Sequence, residues 1–94
     1  MVVNVVEFSD AVVKAMPKLP PQVAVKLRLW AGAVRAAGID QVRKQQHGYR
    51  DKPLSGDRKG QHSIRLNRAY RAFYTVVRNE VTVVRVIEVN KHEY

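Results

Sequence analysis

The sequence predicts an α+β fold in which two N-terminal helices pack on one face of an antiparallel sheet, in the order β-α-α-β-β-β. Three observations predict it. A short β-branched run opens the chain, an apolar stripe with helical spacing follows, and three apolar runs separated by turn residues fill the second half. A chain of 94 residues has the size of one small domain, so residues 1–94 are treated as a single unit.

The first two elements are a strand and a short helix. Val2–Phe8 is rich in β-branched residues, which favour strands. Ser9 is a suitable N-cap for a helix that starts at Asp10, because its side-chain oxygen can accept from a free backbone N–H of the first turn. Pro17 is expected to bend or end this helix before Leu19, since proline cannot donate the helical hydrogen bond.

A longer helix is predicted over Pro21–Ala37. Proline is tolerated in a first helical turn, and Gly38 is a natural stop. Apolar residues recur at the i, i+4, i+7 and i+11 positions, namely Val23, Leu27, Trp30 and Val34. Such a stripe is typical of a helix face that packs into a core, with Trp30 as its anchor. A further short polar helix is expected from Asp40 to Gln46.

The second half begins with an irregular loop from His47 to Gly60, which is dense in Gly and Pro. Three strands of an antiparallel meander are expected after it: residues 62–66, 69–77 and 81–89. Alternation of side chains places Arg65 and Arg71 on the sheet face that the helices leave free. The last strand is almost continuously apolar, which indicates a central strand or one covered on both faces.

Composition narrows the class of function. The chain has 17 Lys and Arg against 8 Asp and Glu, a net charge of +9, and a sequence pI near 10.4. This excess favours a polyanionic partner such as nucleic acid. The absence of cysteine excludes disulfides and thiolate chemistry and fits a reducing cytoplasm, the expected location. No membrane span and no secretory signal are visible, so no membrane partner is expected.

Cleavage of RNA is a chemistry that this composition allows without a cofactor or a metal. The ribose 2′-hydroxyl can attack the adjacent phosphate if a base, an acid and cations surround it. His47, Asp51 and His62 have no recognisable metal-ligand spacing, so no metal site is expected. His92 titrates in the useful range, and Tyr94, at the end of this sequence, is a phenol whose ionised form nearby cations favour.

The runs PLSGDRKGQHSIRLNRAYRAFY and VVRVIEVNKHEY resemble the RelE/HigB group of bacterial toxins from type II toxin–antitoxin pairs, within the RelE/ParE superfamily. The resemblance is specific over Lys52–Tyr94, and the element order matches the RelE-like fold. It implies a metal-independent endoribonuclease, an mRNA interferase, that cuts messenger RNA on the ribosome and thereby inhibits translation. It also implies a separately encoded antitoxin and a higher-order toxin–antitoxin complex on operator DNA.

The resemblance also implies catalytic residues. Arg71, in the motif AYRAFY, matches the strand arginine that the family places on the scissile phosphate. Arg65, in SIRLN, matches a second cation, and Lys52 falls where HigB-like members carry a basic or histidine residue that lines the site. His92 and Tyr94 fit the terminal cluster proposed for acid–base work, and which of them is acid and which is base stays open.

A second set of residues is expected to bind RNA rather than to react with it: Lys91, Arg58, Lys59, His62 and Arg68. Lys91 adjoins the terminal cluster. Arg58 and Lys59 belong to the basic loop, where a hydrated loop without a ligand is the alternative interpretation. His62 lies where several members of the family have an aromatic residue, and it either adds chemistry or stacks on a base.

Two other functions remain open at this stage. The superfamily includes ParE-like members that inhibit DNA gyrase through a protein surface and lack the nuclease residues. A non-catalytic nucleic-acid-binding module would explain the charge but would leave the terminal His and Tyr without a purpose.

Overall fold

The computed structural model describes residues 3–91, which form three helices and five strands. The helices are α1 (Asp10–Ala15), α2 (Pro21–Ala37) and α3 (Ile39–Gln45). The strands are β1 (Val3–Phe8), β2 (Lys52–Pro53), β3 (His62–Arg65), β4 (Tyr70–Arg78) and β5 (Val81–Lys91). Single 3₁₀ turns cover Met16–Lys18, His47–Tyr49 and Gly56–Arg58. Of the helices in this part of the chain, none combines the length and the apolar character that crossing a membrane requires.

The sheet has the order β1-β5-β4-β3-β2. Strands β3, β4 and β5 are consecutive antiparallel neighbours, which confirms the predicted meander. Strand β1 runs parallel to β5, with Val3 opposite Val81 and Phe8 opposite Val86. The sheet is therefore mixed at this edge, where the sequence predicted antiparallel pairing throughout. The connection from β1 to β5 contains the three helices and strands β2 to β4, so it is long enough for the crossover that a parallel pair requires.

Helix α1 begins and ends as its sequence indicates. The Ser9 hydroxyl accepts a hydrogen bond from the Val12 N–H at 3.3 Å and donates one to the Ile87 carbonyl at 3.0 Å. The same side chain therefore caps the helix and fastens it to β5. Pro17 lies in the 3₁₀ turn that follows Ala15, so the helix is as short as the proline predicts.

Helix α2 ends at Gly38, which has a φ of 87°. The Gly38 N–H donates to the Val34 carbonyl at 2.8 Å, and this bond closes the last turn. A Cβ at this position would come within 3.4 Å of the Asn4 side chain on β1. Both the positive φ and the close approach of β1 therefore favour glycine.

The core lies between α2 and one face of the sheet. The four residues of the predicted stripe, including Trp30, are all fully buried, which confirms the core assignment. The Trp30 ring packs at 5.1 Å from the ring of Tyr74 on β4, in a tilted arrangement. Other fully or nearly fully buried sheet residues complete this layer: Ile64, Leu66, Ala72, Val84 and Val86. The opposite face of β3 and β4 is left without a helical layer.

A β-bulge lies in β5. Phe73 pairs with Glu88 and Tyr74 pairs with Val86, so Ile87 is an extra residue on β5. Because side chains alternate along a strand, this one residue reverses the facing of everything after it. Val86 before the bulge and Val89 after it both pack on the core, whereas Glu88 shares the outward face with Phe73.

Candidate active site and nucleic-acid interface

The outward face of β2, β3 and β4 carries a small groove. The register places Lys52 opposite Ser63 and Ser63 opposite Phe73. These three residues and two neighbours, Leu54 and Arg71, line a cavity of about 210 Å³. We call this cavity the outward groove. It brings together two of the residues predicted to be catalytic, Lys52 from the edge strand β2 and Arg71 from the central strand β4.

The outward groove is cationic. Lys52 is exposed and Arg71 is half-buried. Neither makes an ion pair with a residue of the described range 3–91, and no carboxylate is among the lining residues. A guanidinium and an ammonium that share one cavity repel each other, and an anion placed between them reverses the sign of that interaction. Arginine is especially suited to phosphate because its planar fork can donate two parallel hydrogen bonds.

Ser63 contributes a polar group to the floor of this groove. Its side chain faces outward with Arg71 and Phe73 but is only 1% exposed. Its hydroxyl has no hydrogen-bond partner within residues 3–91, although buried hydroxyls are normally partnered. Ser63 is not among the site residues predicted from the sequence. The alternation of β3 was a signal that could have marked Ser63 as a groove residue.

Arg58 forms one border of the outward groove. Its guanidinium lies 4.1 Å from the centre of the Phe73 ring and pairs with Glu88 at 2.8 Å. A further bond joins it to Gln61. The charge of Arg58 is therefore compensated by Glu88, these contacts hold the 56–58 turn over the Phe73 ring, and contact of Arg58 with RNA stays a prediction. Lys59, the next residue, is exposed.

Arg65 lies directly opposite Arg71 in the register of β3 and β4, on the adjacent antiparallel strands that the sequence predicts. The side chains nevertheless line different cavities. The Arg65 Nε donates to the Asn67 carbonyl at 3.3 Å, in the β3–β4 turn. Arg65 lines a second cavity with Arg68 and does not line the outward groove.

His62 faces the helices rather than the outward groove. Its Nδ1 lies 3.0 Å from the Asp51 carboxylate, and its ring stacks on Tyr74 at 5.3 Å between centroids. Tyr74 also donates to Asp51, and the Arg43 Nε donates to the Tyr74 hydroxyl at 3.0 Å. We call these four residues the Asp51 network. One face of the His62 ring therefore lies against Tyr74, and its contact with RNA stays a prediction.

The Asp51 network is a closed polar cluster. The side chains of Asp51, His62 and Arg43 are 11%, 24% and 26% exposed, and each has a partner within the cluster. Burial raises the pKa of Tyr74 far above its ordinary value of 10.0; hydrogen bonding to Asp51 raises it further, and the nearby Arg43 opposes the shift. No set of three or more His, Cys, Asp or Glu side chains in residues 3–91 is arranged to hold a metal ion.

The end of β5 lies beside the outward groove. Asn90 is opposite Arg71 in the register, and Lys91 is opposite Tyr70. Lys91 is exposed. His92 and Tyr94, the predicted acid–base residues, lie outside the described residues.

No protein-family model and no curated protein sequence matches the chain. Solved structures do match it. An archaeal RelE, from the RelE–RelB complex of Pyrococcus horikoshii OT3, has a TM-score of 0.72 and 20% identity, with 95% of this chain and 94% of that chain covered. The toxin–antitoxin complex RelBE2 from Mycobacterium tuberculosis gives a TM-score of 0.68 and 25% identity, with coverages of 97% and 100%.

A third solved structure, YafQ from Escherichia coli strain BL21(DE3), gives a TM-score of 0.69 and 15% identity, with 94% of this chain and 92% of that chain covered. These proteins match this chain over nearly its whole length, helices and sheet together. The resemblance that the sequence indicated is therefore confirmed by the structure, and the chain has the fold of the RelE/ParE superfamily of toxins.

Proposed function

We propose that this chain is the toxin of a type II toxin–antitoxin pair and a metal-independent, ribosome-dependent endoribonuclease of messenger RNA. The observation that supports this most is the outward groove, where Lys52 and Arg71 lie together without a carboxylate among the lining residues. The fold shared with solved toxins and the net charge of +9 add support.

In the proposed reaction, the ribose 2′-oxygen attacks the adjacent phosphorus while the bond from phosphorus to the 5′-oxygen breaks. The products are a 2′,3′-cyclic phosphate and a free 5′-hydroxyl. Negative charge grows on the non-bridging phosphate oxygens in the transition state, and we assign its stabilisation to Arg71. Lys52 supplies a second positive charge in the same cavity.

The reaction moves two protons, one from the 2′-hydroxyl and one to the leaving 5′-oxygen. We assign these transfers to His92 and Tyr94, whose imidazole and phenol are the ionisable groups that the resemblance indicates. His92 follows Lys91 directly in the sequence and Tyr94 comes two residues later, while Asn90, two residues before His92, is opposite Arg71 in the register.

The proposed partners follow from charge. A basic groove is held inactive most simply by a protein that carries Asp, Glu and apolar residues, so we propose a cognate antitoxin of this kind. Two of the matching solved structures are toxin–antitoxin complexes. We also propose that the pair forms a higher-order complex on operator DNA and that the toxin acts in the cytoplasm.

The direct test uses purified protein, ribosomes programmed with a defined messenger RNA, and the same RNA without ribosomes. We expect cuts on the ribosome, with 5′-hydroxyl ends, and few or none on the free RNA. Primer extension maps the cuts, and a 5′-kinase reaction identifies the ends. His92→Ala should abolish the cuts while leaving the thermal unfolding curve unchanged.

A supercoiling assay with purified DNA gyrase tests the ParE-like alternative. Inhibited supercoiling without RNA cuts would contradict the nuclease proposal. Salt-sensitive RNA binding without cleavage, even on ribosomes, would instead favour a non-catalytic binding module.

A further inference from the structure

A second basic cavity lies at the end of the sheet next to the outward groove. It has a volume of about 460 Å³, and its lining includes Lys26 from α2, Arg50 after the 47–49 turn, and Arg65 and Arg68 from the end of β3 and the β3–β4 turn. We call it the basic cleft. Its lining includes four cations and no carboxylate. None of the four makes an ion pair within the described residues.

Two of these cations are held in place by local contacts. The Arg65 Nε donates to the Asn67 carbonyl, and the Asn67 side chain accepts from the N–H groups of Ala69 and Tyr70 at 2.8 and 2.7 Å. The Lys26 Nζ lies 5.2 Å from the centre of the Tyr49 ring. These contacts restrain the Arg65 guanidinium and the Lys26 ammonium before a ligand arrives, so less conformational entropy is lost on binding.

Arg50 is the one non-glycine residue of the described range with a positive φ, at 48°. A left-handed backbone costs an ordinary residue of order 1 kcal/mol, so glycine would suit this position better. The arginine adds a fourth charge to a cleft that already repels charge of the same sign. Binding of an anion in the cleft would offset both costs, the left-handed backbone of Arg50 and the repulsion among the four cations.

The register connects the two cavities. Arg65 of the basic cleft and Arg71 of the outward groove are directly opposite each other on β3 and β4, with Cα atoms about 5 Å apart in such a pair. An RNA strand whose scissile phosphate lies at Arg71 can therefore continue past Arg65 into the cleft. This continuity favours a nucleic-acid backbone over an unrelated acidic protein segment.

We propose that the basic cleft binds the phosphate backbone of the RNA strand next to the scissile phosphate. The proposal rests on the proposed function for its substrate. It extends that function by assigning Lys26, Arg50 and Arg68 as backbone contacts and by placing Arg65 between the two cavities. Because contacts to phosphate carry no base information, the cleft contributes affinity and position rather than sequence preference.

The test measures binding of a fluorescent 2′-O-methyl oligoribonucleotide, which lacks the attacking hydroxyl and cannot be cut. One triple variant replaces the cleft cations, with Lys26→Gln, Arg50→Gln and Arg68→Gln. A matched triple variant makes the same charge change at exposed helical sites outside the cleft, with Lys14→Gln, Arg28→Gln and Arg35→Gln.

Each phosphate contact contributes about 0.7 to the slope of log K against log salt for a single strand. The cleft variant should therefore lose about 2 units of slope, and the matched variant should keep most of the wild-type slope. Equal slopes in the two variants would overturn the proposal, since net charge alone would then explain binding. If the cleft triple variant unfolds, the double variant Arg50→Gln with Arg68→Gln, at two exposed residues, replaces it.

A poly-glutamate peptide distinguishes the other class of ligand. If the peptide saturates the cleft and the oligonucleotide shows no cleft-dependent slope, the cleft is an acidic-protein site and the proposal is wrong. A wild-type chain that never cuts RNA but shows the cleft-dependent slope would leave the backbone site standing and overturn only the nuclease.

Discussion

Charged side chains lie on both sides of strands β3 and β4, and their partners differ between the two sides. On the helix-facing side, the Asp51 carboxylate is bonded by His62 and Tyr74 and lies 3.5 Å from the Arg43 Nε. On the outward side, Arg71 has no ion-pair partner within residues 3–91. The polar groups on the helix-facing side are thus bonded to one another, whereas Lys52 and Arg71 in the outward groove are unpaired within residues 3–91.

This difference separates stability from function. A residue whose polar groups are satisfied inside the fold contributes to stability, and its loss should lower the free energy of unfolding. A cation without an ion-pair partner contributes little to stability, so under the proposed function we expect its loss to affect binding or catalysis instead. Substitutions on the two faces should therefore affect different measurements.

The largest effect is expected for Arg71→Ala. Removing a group that stabilises developing charge lowers a rate by about a hundred- to a thousand-fold. The free energy of unfolding should change by less than about 1 kcal/mol, because Arg71 has no ion-pair partner in residues 3–91 to lose. Single-turnover cleavage on programmed ribosomes measures the rate, and urea denaturation measures stability.

Arg85→Ala is the matched control for Arg71→Ala. Arg85 is an exposed outward arginine on the neighbouring strand β5, and it pairs with Glu7 at 3.0 Å. The Arg85→Ala variant should cut RNA at nearly the wild-type rate. Equal losses of activity in the two variants would show that general surface charge, and not the outward groove, drives cleavage.

In the Asp51 network, a substitution should lower stability, whereas Arg71→Ala should lower the cleavage rate. Asp51→Ala removes the carboxylate that His62, Arg43 and the Tyr74 hydroxyl share as their partner. We expect a loss of about 2–3 kcal/mol in the free energy of unfolding, because orphaned buried donors carry their full desolvation cost. Asp57→Ala, at an exposed carboxylate of the 56–58 turn, should change stability by less than about 0.5 kcal/mol. Similar urea midpoints for the two variants would contradict a structural role for the network.

Tyr74→Phe tests the same network more finely. Loss of the hydroxyl should cost about 1–2 kcal/mol near neutral pH, since it removes the bonds to Asp51 and Arg43. The pKa of Tyr74 is raised in the folded protein above its ordinary value of 10.0. Above pH 10 the folded chain therefore keeps the Tyr74 proton while the unfolded chain releases it. The contribution of the protonated hydroxyl to the free energy of unfolding is complete below pH 10 and falls as the pH rises further.

The pH dependence of Tyr74→Phe follows from that sign. Between pH 10 and 11.5, the wild type should lose up to about 1.4 kcal/mol per pH unit from this one group, and the variant should not. Burial also raises the pKa of Tyr49, in the same direction, so both proteins keep that second loss. Parallel curves for wild type and variant would show that Tyr74 ionises equally in both states.

Much of the fold was predictable because local patterns agree with it. The helical spacing of Val23, Leu27, Trp30 and Val34, the Ser9 cap and the Pro17 break all describe contacts within a few residues. The facing of Arg71 away from the core followed from strict alternation along β4. These features depend on residues that are close in sequence and not on contacts between distant segments.

The rest depends on contacts between segments that are far apart in sequence. The parallel pairing of β1 with β5 and the separation of Arg65 from the outward groove are of this kind. The bulge at Ile87 has a local signal in the sequence. Arg85 and Glu88 are charged residues three positions apart in a mostly apolar strand, and strict alternation would place them on opposite faces unless one extra residue lies between them. The roles of Lys26 and Arg50 in the basic cleft had no such local signal.

The smallest expected effect separates backbone strain from charge within the basic cleft. Arg50→Gln and Arg50→Gly both remove the cation and should weaken oligonucleotide binding equally. Only glycine relieves the left-handed backbone at φ 48° and ψ 49°. Relief of this strain should raise the free energy of unfolding by about 1 kcal/mol, and the greater conformational freedom of glycine in the unfolded chain offsets part of that increase.

We therefore expect Arg50→Gly to unfold at a higher urea concentration than Arg50→Gln, by about 0.5–1 kcal/mol in the free energy of unfolding. Equal stability of the two variants would mean that the backbone at this position is not strained. A glycine variant that is more stable yet binds RNA more weakly would show that the arginine is kept for the ligand at the expense of the fold.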